Sequence, residues 1–536
     1  MRVASSYVEG MGVTGEVDLM SSDPNVETLR TLGLGMKGLT GNVDRMALID
    51  YTALVGNLPA GNDENSFTVY AVDNYGKKSD ELTLKVTPQF CGFAVAAAEG
   101  EVPFLGNTCR VNISFIDGAP SKASFSLADG GQPLTVTQVS EVTEAEGRKQ
   151  YTIDLQAPDG VQFKEPFKVS ASYLAYNETT DDLDVEYGIL VDSEADVWAK
   201  RAVVHVYNEE DLSSLTFQQY GENGDWQNVS VKQTDGNYVT VSGLPSGSAV
   251  KLRAIKSGAE PTNEVDVETE EELQVGNPGF EDWHESFVWK GSLGLGSTDI
   301  NTFYPYKENE SDQWWSTRND LTTTKDGGYS YYYVAYPGTT PVTSSWAASG
   351  KVGLPTTYCD GTNSAEIATV GWGEGSTCTT ESLFPPLSNS MNCKNHTAGA
   401  LFIGTYANGQ ENYGHEFASR PDKMTFLYRF HSCNKESASA LIRIEHRDEN
   451  QTVVLAEKTL LLTSDKATTD VESGTIELEY ASSDYKATHI TISFLSSTAE
   501  NPSIEPYYVP ENFRGNRYSR GIGNVLVVDN VSLIYE

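Results

Sequence analysis

The sequence predicts an all-β chain: tandem immunoglobulin-like sandwiches followed by a large C-terminal jelly-roll β-sandwich. Three observations predict it. Helical periodicity is almost absent, while apolar and polar residues alternate in "SFTVYAV", "RVNISFI", "KASFSLA", "FKVSASY", "NYVTVSG", "MTFLYRF", "ALIRIEH" and "THITISF". Such alternation puts one face of a strand in a core and the other in solvent. The segments between them carry Gly, Asn, Asp and Pro, and 47 Gly with 21 Pro suit many short strands joined by tight turns. A chain of 536 residues exceeds what one hydrophobic core serves, so about three to five domains are expected.

Charge narrows the partners. Lys+Arg number 37 against 75 Asp+Glu, a formal net charge of −38. That field repels phosphate backbones and anionic membrane surfaces, which argues against nucleic acid as a ligand. The 39% hydrophobic and 10% aromatic content is not that of a disordered chain. No run approaches the roughly 20 apolar residues of a membrane-spanning helix. The first residues, "MRVASSYVEG", lack a charged-then-apolar leader. The domain types favour an extracellular or outer-membrane-surface protein whose leader, with a lipid anchor as one option, is missing from this chain. Six cysteines show no C-x-x-C and no zinc-like spacing with His. Cys91 with Cys109, and Cys359 with Cys378, are candidate disulfides, with buried thiols as the alternative.

A weak internal repeat marks the N-terminal modules. "LVGNLPAGNDENSFTVYAV" (54–72) and "VTVSGLPSGSAVKLRAI" (239–255) both read strand, Leu-Pro-small-Gly turn, strand. Pro presets one turn dihedral and Gly accepts a positive φ. The second copy resembles the closing half of a fibronectin type III domain. The resulting division is an immunoglobulin-like sandwich over 1–88, a second over 89–195, a fibronectin III-like sandwich over 196–272, and the jelly roll over 273–536. The acidic stretch "EVDVETEEELQVG" (264–276) marks the last boundary. Beyond it the chain turns rich in Tyr, Ser, Thr and Gly, and most of the eight Trp follow: Trp283, Trp289, Trp314, Trp315, Trp346 and Trp372.

The last domain opens with "VGNPGFEDW", passes through "CDGTNSAEIAT" and ends in "GNVLVVDNVSLIYE". The three blocks resemble those of jelly-roll carbohydrate-binding modules. That resemblance implies that Glu281 and Asp529 meet and bind a structural calcium ion, with the backbone near Asn363–Ser364 as a further ligand. The alternative is a pair of carboxylates hydrogen-bonding loop amides. Taken in order, "NPGFEDW", "WWSTRN", "AGALFIGTY", "FASRPDKMTFLYRF" and "VVDNVSLIYE" resemble the carbohydrate-metabolism domain family of Bacteroidetes surface proteins, over residues 275–536. The sequence departs from that pattern at Arg318, where a small residue is expected.

Saccharides account for the aromatic and polar clusters. A pyranose offers an apolar C–H face to a flat ring and a rim of hydroxyls to Asp, Glu, Asn and Arg. "DQWWSTRND" supplies Trp314 and Trp315, adjacent and so pointing to opposite faces of a strand, with Arg318, Asn319 and Asp320 close behind. Tyr331, in an aromatic strand, and Trp372 with Glu374, in a glycine-rich loop, complete the candidate set. Core packing is the competing role for every one of these aromatics.

Catalysis has weaker support. Glycosidases use a carboxylate pair, and Glu366, Glu374, Glu381, Asp360 and Asp320 are available, but in a chain this acidic, availability decides nothing. "GHE" at 414–416 lacks the second His of H-E-x-x-H, and no G-x-S-x-G elbow occurs. The sequence therefore points to a glycan-binding surface protein with its N-terminal domains as a spacer. A glycoside hydrolase or lyase in the same groove, and a structural or adhesive protein, are the alternatives.

Overall fold

The computed structural model describes residues 2–5, 17–18, 35–37, 48–50, 65–70, 76–86, 92–116, 118–145, 147–173, 176–221, 223–293, 296–324, 333–374, 395–481, 484–513 and 516–536. Some strand segments, among them 333–334, 374 and 506–520, are described by backbone only. Tyr331, Cys91, Cys378, Cys393 and Glu381 lie outside the described residues. The chain is all-β, built from antiparallel sheets. Each alternating segment named above contains a strand, from Asn65–Tyr70 to His489–Leu495. Among the described residues no helix is long and apolar enough to cross a membrane.

Two compact units divide the chain, residues 1–188 with 206–210, and residues 189–205 with 211–536. In the first, the 13-residue strand Pro133–Ala145 serves two sheets. Its start pairs with Ser124–Leu127 and the rest with Arg148–Gln156, with a register shift between Val136 and Gln138. Bulged strands that change sheets are how sandwiches turn corners. Phe93, Phe115 and Tyr173 are buried there, and the Phe115 and Tyr173 rings lie 4.7 Å apart.

The second unit begins with two four-stranded sheets. One contains Arg201–Tyr207 beside Tyr238–Ser242; the other runs Trp226–Asn228, Leu215–Tyr220, Ala249–Lys256, Val265–Glu268. Alternation does the folding here: in Ala249–Lys256, Val250, Leu252 and Ala254 are buried and their neighbours are not. This sandwich is bolted to the C-terminal one by Arg420, which is 3% exposed. Its Nε donates to Glu270 Oε1 at 2.8 Å, Nη1 to the Ala195 carbonyl at 2.7 Å and Nη2 to the Val197 carbonyl. The guanidinium also sits 4.2 Å from the Trp198 ring. Burial works against both charges of the Arg420–Glu270 pair, so each depends on the other and on the carbonyls to stay ionised.

The C-terminal part is a β-sandwich of a seven-stranded and an eight-stranded sheet. Met424, Phe426, Ile442, Ile444, Ile490, Ile492, Phe494, Leu526 and Val528 fill the space between them. The eight-stranded sheet has a second core on its other face. Ala368, Val370, Ile522, Val525 and Val527 point that way, covered by Ile300, Phe303, Tyr336, Val342, Trp346 and Leu354. The run Val525–Val528 is therefore buried on both faces, which is why it reads as continuous rather than alternating. The aromatic-rich segment after residue 283 builds this outer layer.

Candidate functional site

The strand Trp315–Thr317 pairs with Ala400–Ala407, Trp315 opposite Ile403. Alternation sends the two tryptophans to different surroundings. Trp315 is 1% exposed, donates Nε1–H to the Gly276 carbonyl at 2.7 Å and meets Phe280 edge-on at 5.1 Å. Trp314 is half-buried and stacks on His415, with centroids 4.0 Å apart and planes 14° from parallel. Asp312 joins that pair, accepting from Trp314 Nε1 at 3.0 Å and facing His415 Nε2 at 2.8 Å. The bond from His415 is the main reason the Asp312 carboxyl lies below its usual range. Gly276 approaches the Trp314 ring so closely that a Cβ there would meet it at 2.4 Å. Trp315 is thus a core residue, a correction to its expected role, and Trp314 already carries a stacking partner.

Asn319 is corrected likewise. It is 1% exposed, and its amide ties Phe303 and Thr339 together through 2.8, 2.6 and 2.8 Å bonds. Asp320 opens the short helix Asn319–Thr323 and accepts from the Tyr304 hydroxyl at 3.0 Å. His284 stacks on Tyr304 at 4.8 Å. Tyr406, half-buried, stands opposite Glu411 in the strand pairing, and burial first, then the carboxylates of Glu411 and Asp320, push its phenol up.

Arg318 is the turning point between that patch and a cleft. Its guanidinium forms a bidentate pair with Glu411 and donates Nη1–H to the Ala398 carbonyl at 3.2 Å. Tyr413 also donates to Glu411, and its phenol is pushed up to about 12 by burial and by that carboxylate. Beside Arg318 lies a cleft of about 380 Å³ whose wall includes His396, Thr397, Thr498 and Glu500. Trp372 is half-buried against the second core and turns its Nε1–H to Thr397 Oγ1 at 2.8 Å. Thr397 accepts that hydrogen bond, which leaves its own O–H to donate. His396 Nδ1 faces the Pro502 carbonyl at 3.1 Å. A carbonyl only accepts, so Nδ1 carries a hydrogen, and in the tautomer this selects Nε2 is the acceptor.

The structure therefore joins Arg318 and Trp372, some 50 residues apart, through Thr397, and sets Asp320 on the neighbouring patch. Glu374 is described by its backbone alone, which pairs with Tyr333. His396, Thr397, Glu411 and Tyr406 were missed by sequence reasoning. Only the pairing of Asn395–Thr397 with the Trp372 strand reveals the first two. Of the other carboxylates, Glu366 is 1% exposed and holds the amides of Ala348 and Ser349. Asp360 accepts from Asn530 Nδ2 at 2.6 Å. Cys109, Cys359 and Cys433 are free thiols, the first two pushed up to about 12 and about 11 chiefly by burial.

Glu281 and Asp529 do converge, on the 360–364 loop. Glu281 accepts from Thr362 N at 2.8 Å and from its hydroxyl; Asp529 accepts from Asp360 N at 2.9 Å, Ser364 Oγ at 2.6 Å and Asn530 N at 2.8 Å. Gly361, at φ 67°, lets the loop close, since a Cβ would strike Glu281 Oε1. Among the described residues no group of three or more His, Cys, Asp or Glu could hold a metal ion. Each of the four carboxylate oxygens accepts at least one of these bonds, which matches the hydrogen-bonded loop that the sequence left as the alternative.

No family model matches the chain, and no curated protein matches it either.

Proposed function

We propose that the chain is a glycan-binding protein whose C-terminal sandwich holds a saccharide in the cleft beside Arg318. One observation carries this reading: the wall sets donors beside acceptors, and two of them are fixed in direction. Arg318 and the Thr397 hydroxyl donate, His396 Nε2 and the Glu500 carboxylate accept, and Trp372 and Pro502 hold two of these groups in place. Sugar hydroxyls both give and take hydrogen bonds, so such a wall suits them. Binding rests on these bonds rather than on ring stacking, because the indole of Trp372 packs on the core. Each bond trades one with water for a small net gain, so affinity per sugar is modest.

The resemblance of residues 275–536 to the carbohydrate-metabolism domain family of Bacteroidetes surface proteins supports the same reading. With it go the finer assignments: a jelly-roll head, immunoglobulin-like and fibronectin III-like domains as spacer, and a setting at the cell exterior. The test is a glycan array probed with the full chain and with Arg318→Met and Thr397→Val. Binding to neutral glycans that both substitutions weaken supports the cleft; no glycan bound, or binding indifferent to both, rejects it.

A further inference from the structure

The outer face of the Leu215–Tyr220 sheet carries an arrangement unrelated to the cleft. Three strands lie in register, Gln218 opposite both Arg253 and Asn228, and Tyr220 opposite Trp226. Across the first row, Arg253 Nε donates to Gln218 Oε1 and Gln218 Nε2 to Asn228 Oδ1, each at 3.0 Å. The Arg253 guanidinium lies over the Trp226 ring, its Cζ 4.0 Å from the centroid. Tyr220 meets Trp226 edge-on at 5.3 Å and is 46% exposed.

Arg253 shares its strand with a lysine that is already ion-paired. Its neighbour Lys251 is paired with Glu264 at 3.0 Å and Asp266 at 3.6 Å. Arg253 has no carboxylate within ion-pair distance among the described residues, in a protein of net charge −38. Its Nε is spent on Gln218, which leaves the Nη1–Nη2 edge, one of the two edges by which a guanidinium can grip a carboxylate with two parallel bonds. Stacking and the amide ladder have already removed the rotamer freedom that binding would otherwise cost. Glu264 and Asp266, on the adjoining strand, are already held by Lys251, and charges farther off are damped by salt beyond about 8 Å.

We infer that this face is a second binding site, for a carboxylated sugar such as a uronate: the carboxylate on Arg253, the ring against Tyr220, the hydroxyls on Asn228 and Gln218. Charge complementarity selects the occupant, since a neutral sugar leaves the Arg253 edge unpaired. The site is independent of the cleft and reads a different ligand.

Calorimetric titration of the full chain with tri-galacturonate tests it, beside neutral maltotriose, a sulfated heparin fragment and tri-glutamate. Tri-galacturonate is expected to bind, and Arg253→Met and Tyr220→Ala are each expected to weaken it about tenfold or more, with melting curves confirming folded protein. Equal affinity for maltotriose, for the sulfated fragment or for tri-glutamate would overturn the assignment, as would binding that neither substitution changes. Loss of neutral-glycan binding alone removes the cleft and leaves this face standing; loss of uronate binding alone does the reverse.

Discussion

At the scale of single residues, the adjacent tryptophans show how one residue type serves two ends. Trp315 fills the core and Trp314 packs on His415 at its margin. Trp315→Ala is expected to cost about 3–5 kcal/mol, a cavity plus an orphaned carbonyl, while Trp314→Ala costs about 1–2 kcal/mol for partial burial. Chemical denaturation of the two variants checks the order. The Glu281–Asp529 cluster gives a second test. Loop protons satisfy both carboxylates, so the melting temperature should be the same in EDTA and in calcium; a rise with calcium would place an ion there. Little of this was legible in the sequence. Asp312 is two residues from Trp314, but the Gly276 carbonyl and the His415 ring that receive the two indoles are far from them in the chain. Alternation placed the two indoles on opposite sides of a strand without saying what waits on each side.

Elements were far more legible. Period-two alternation locates strands because one sheet face is buried, and the segment "ALIRIEH" falls within Ala438–Arg447. The second core escaped because Val525–Val528 is apolar on both faces and carries no period to read. Asn277 in "NPGFED" is likewise structural: its side chain bonds Asp282 twice and Pro305 once, closing a turn in which Asn277 and Phe280 adopt φ of 45° and 50°. The outer layer depends on Glu366, whose buried carboxylate takes the Ala348 and Ser349 amides and the Ser349 hydroxyl. Glu366→Gln is expected to lower stability by about 1–3 kcal/mol, since one carboxamide oxygen cannot receive all those donors. Denaturant titration followed by tryptophan fluorescence checks it, as Trp346 lies in that layer. The sheet edges agree with the acidic composition. Thr468–Glu477 ends the eight-stranded sheet and exposes Asp470 and Glu472, charges that discourage pairing with another chain.

For the whole molecule, the strong negative charge and the all-β architecture were readable from composition and alternation, whereas the joint at Arg420 was not. Nothing in "FASRPDK" announces that one arginine will reach Glu270, Ala195 and Val197. Arg420→Met is expected to cost about 3–5 kcal/mol, because it strands a buried carboxylate. It should also split the calorimetric unfolding of residues 189–536 into two transitions; one undivided transition would show that the joint lies elsewhere.

The most direct test of the central claim is saccharide binding by the full chain, measured for wild type, Arg318→Met and Thr397→Val on the neutral glycans an array selects. The account predicts measurable binding that both substitutions reduce about tenfold while the fold stays intact. Wild-type binding left untouched by both, or no glycan retained at all, would contradict it.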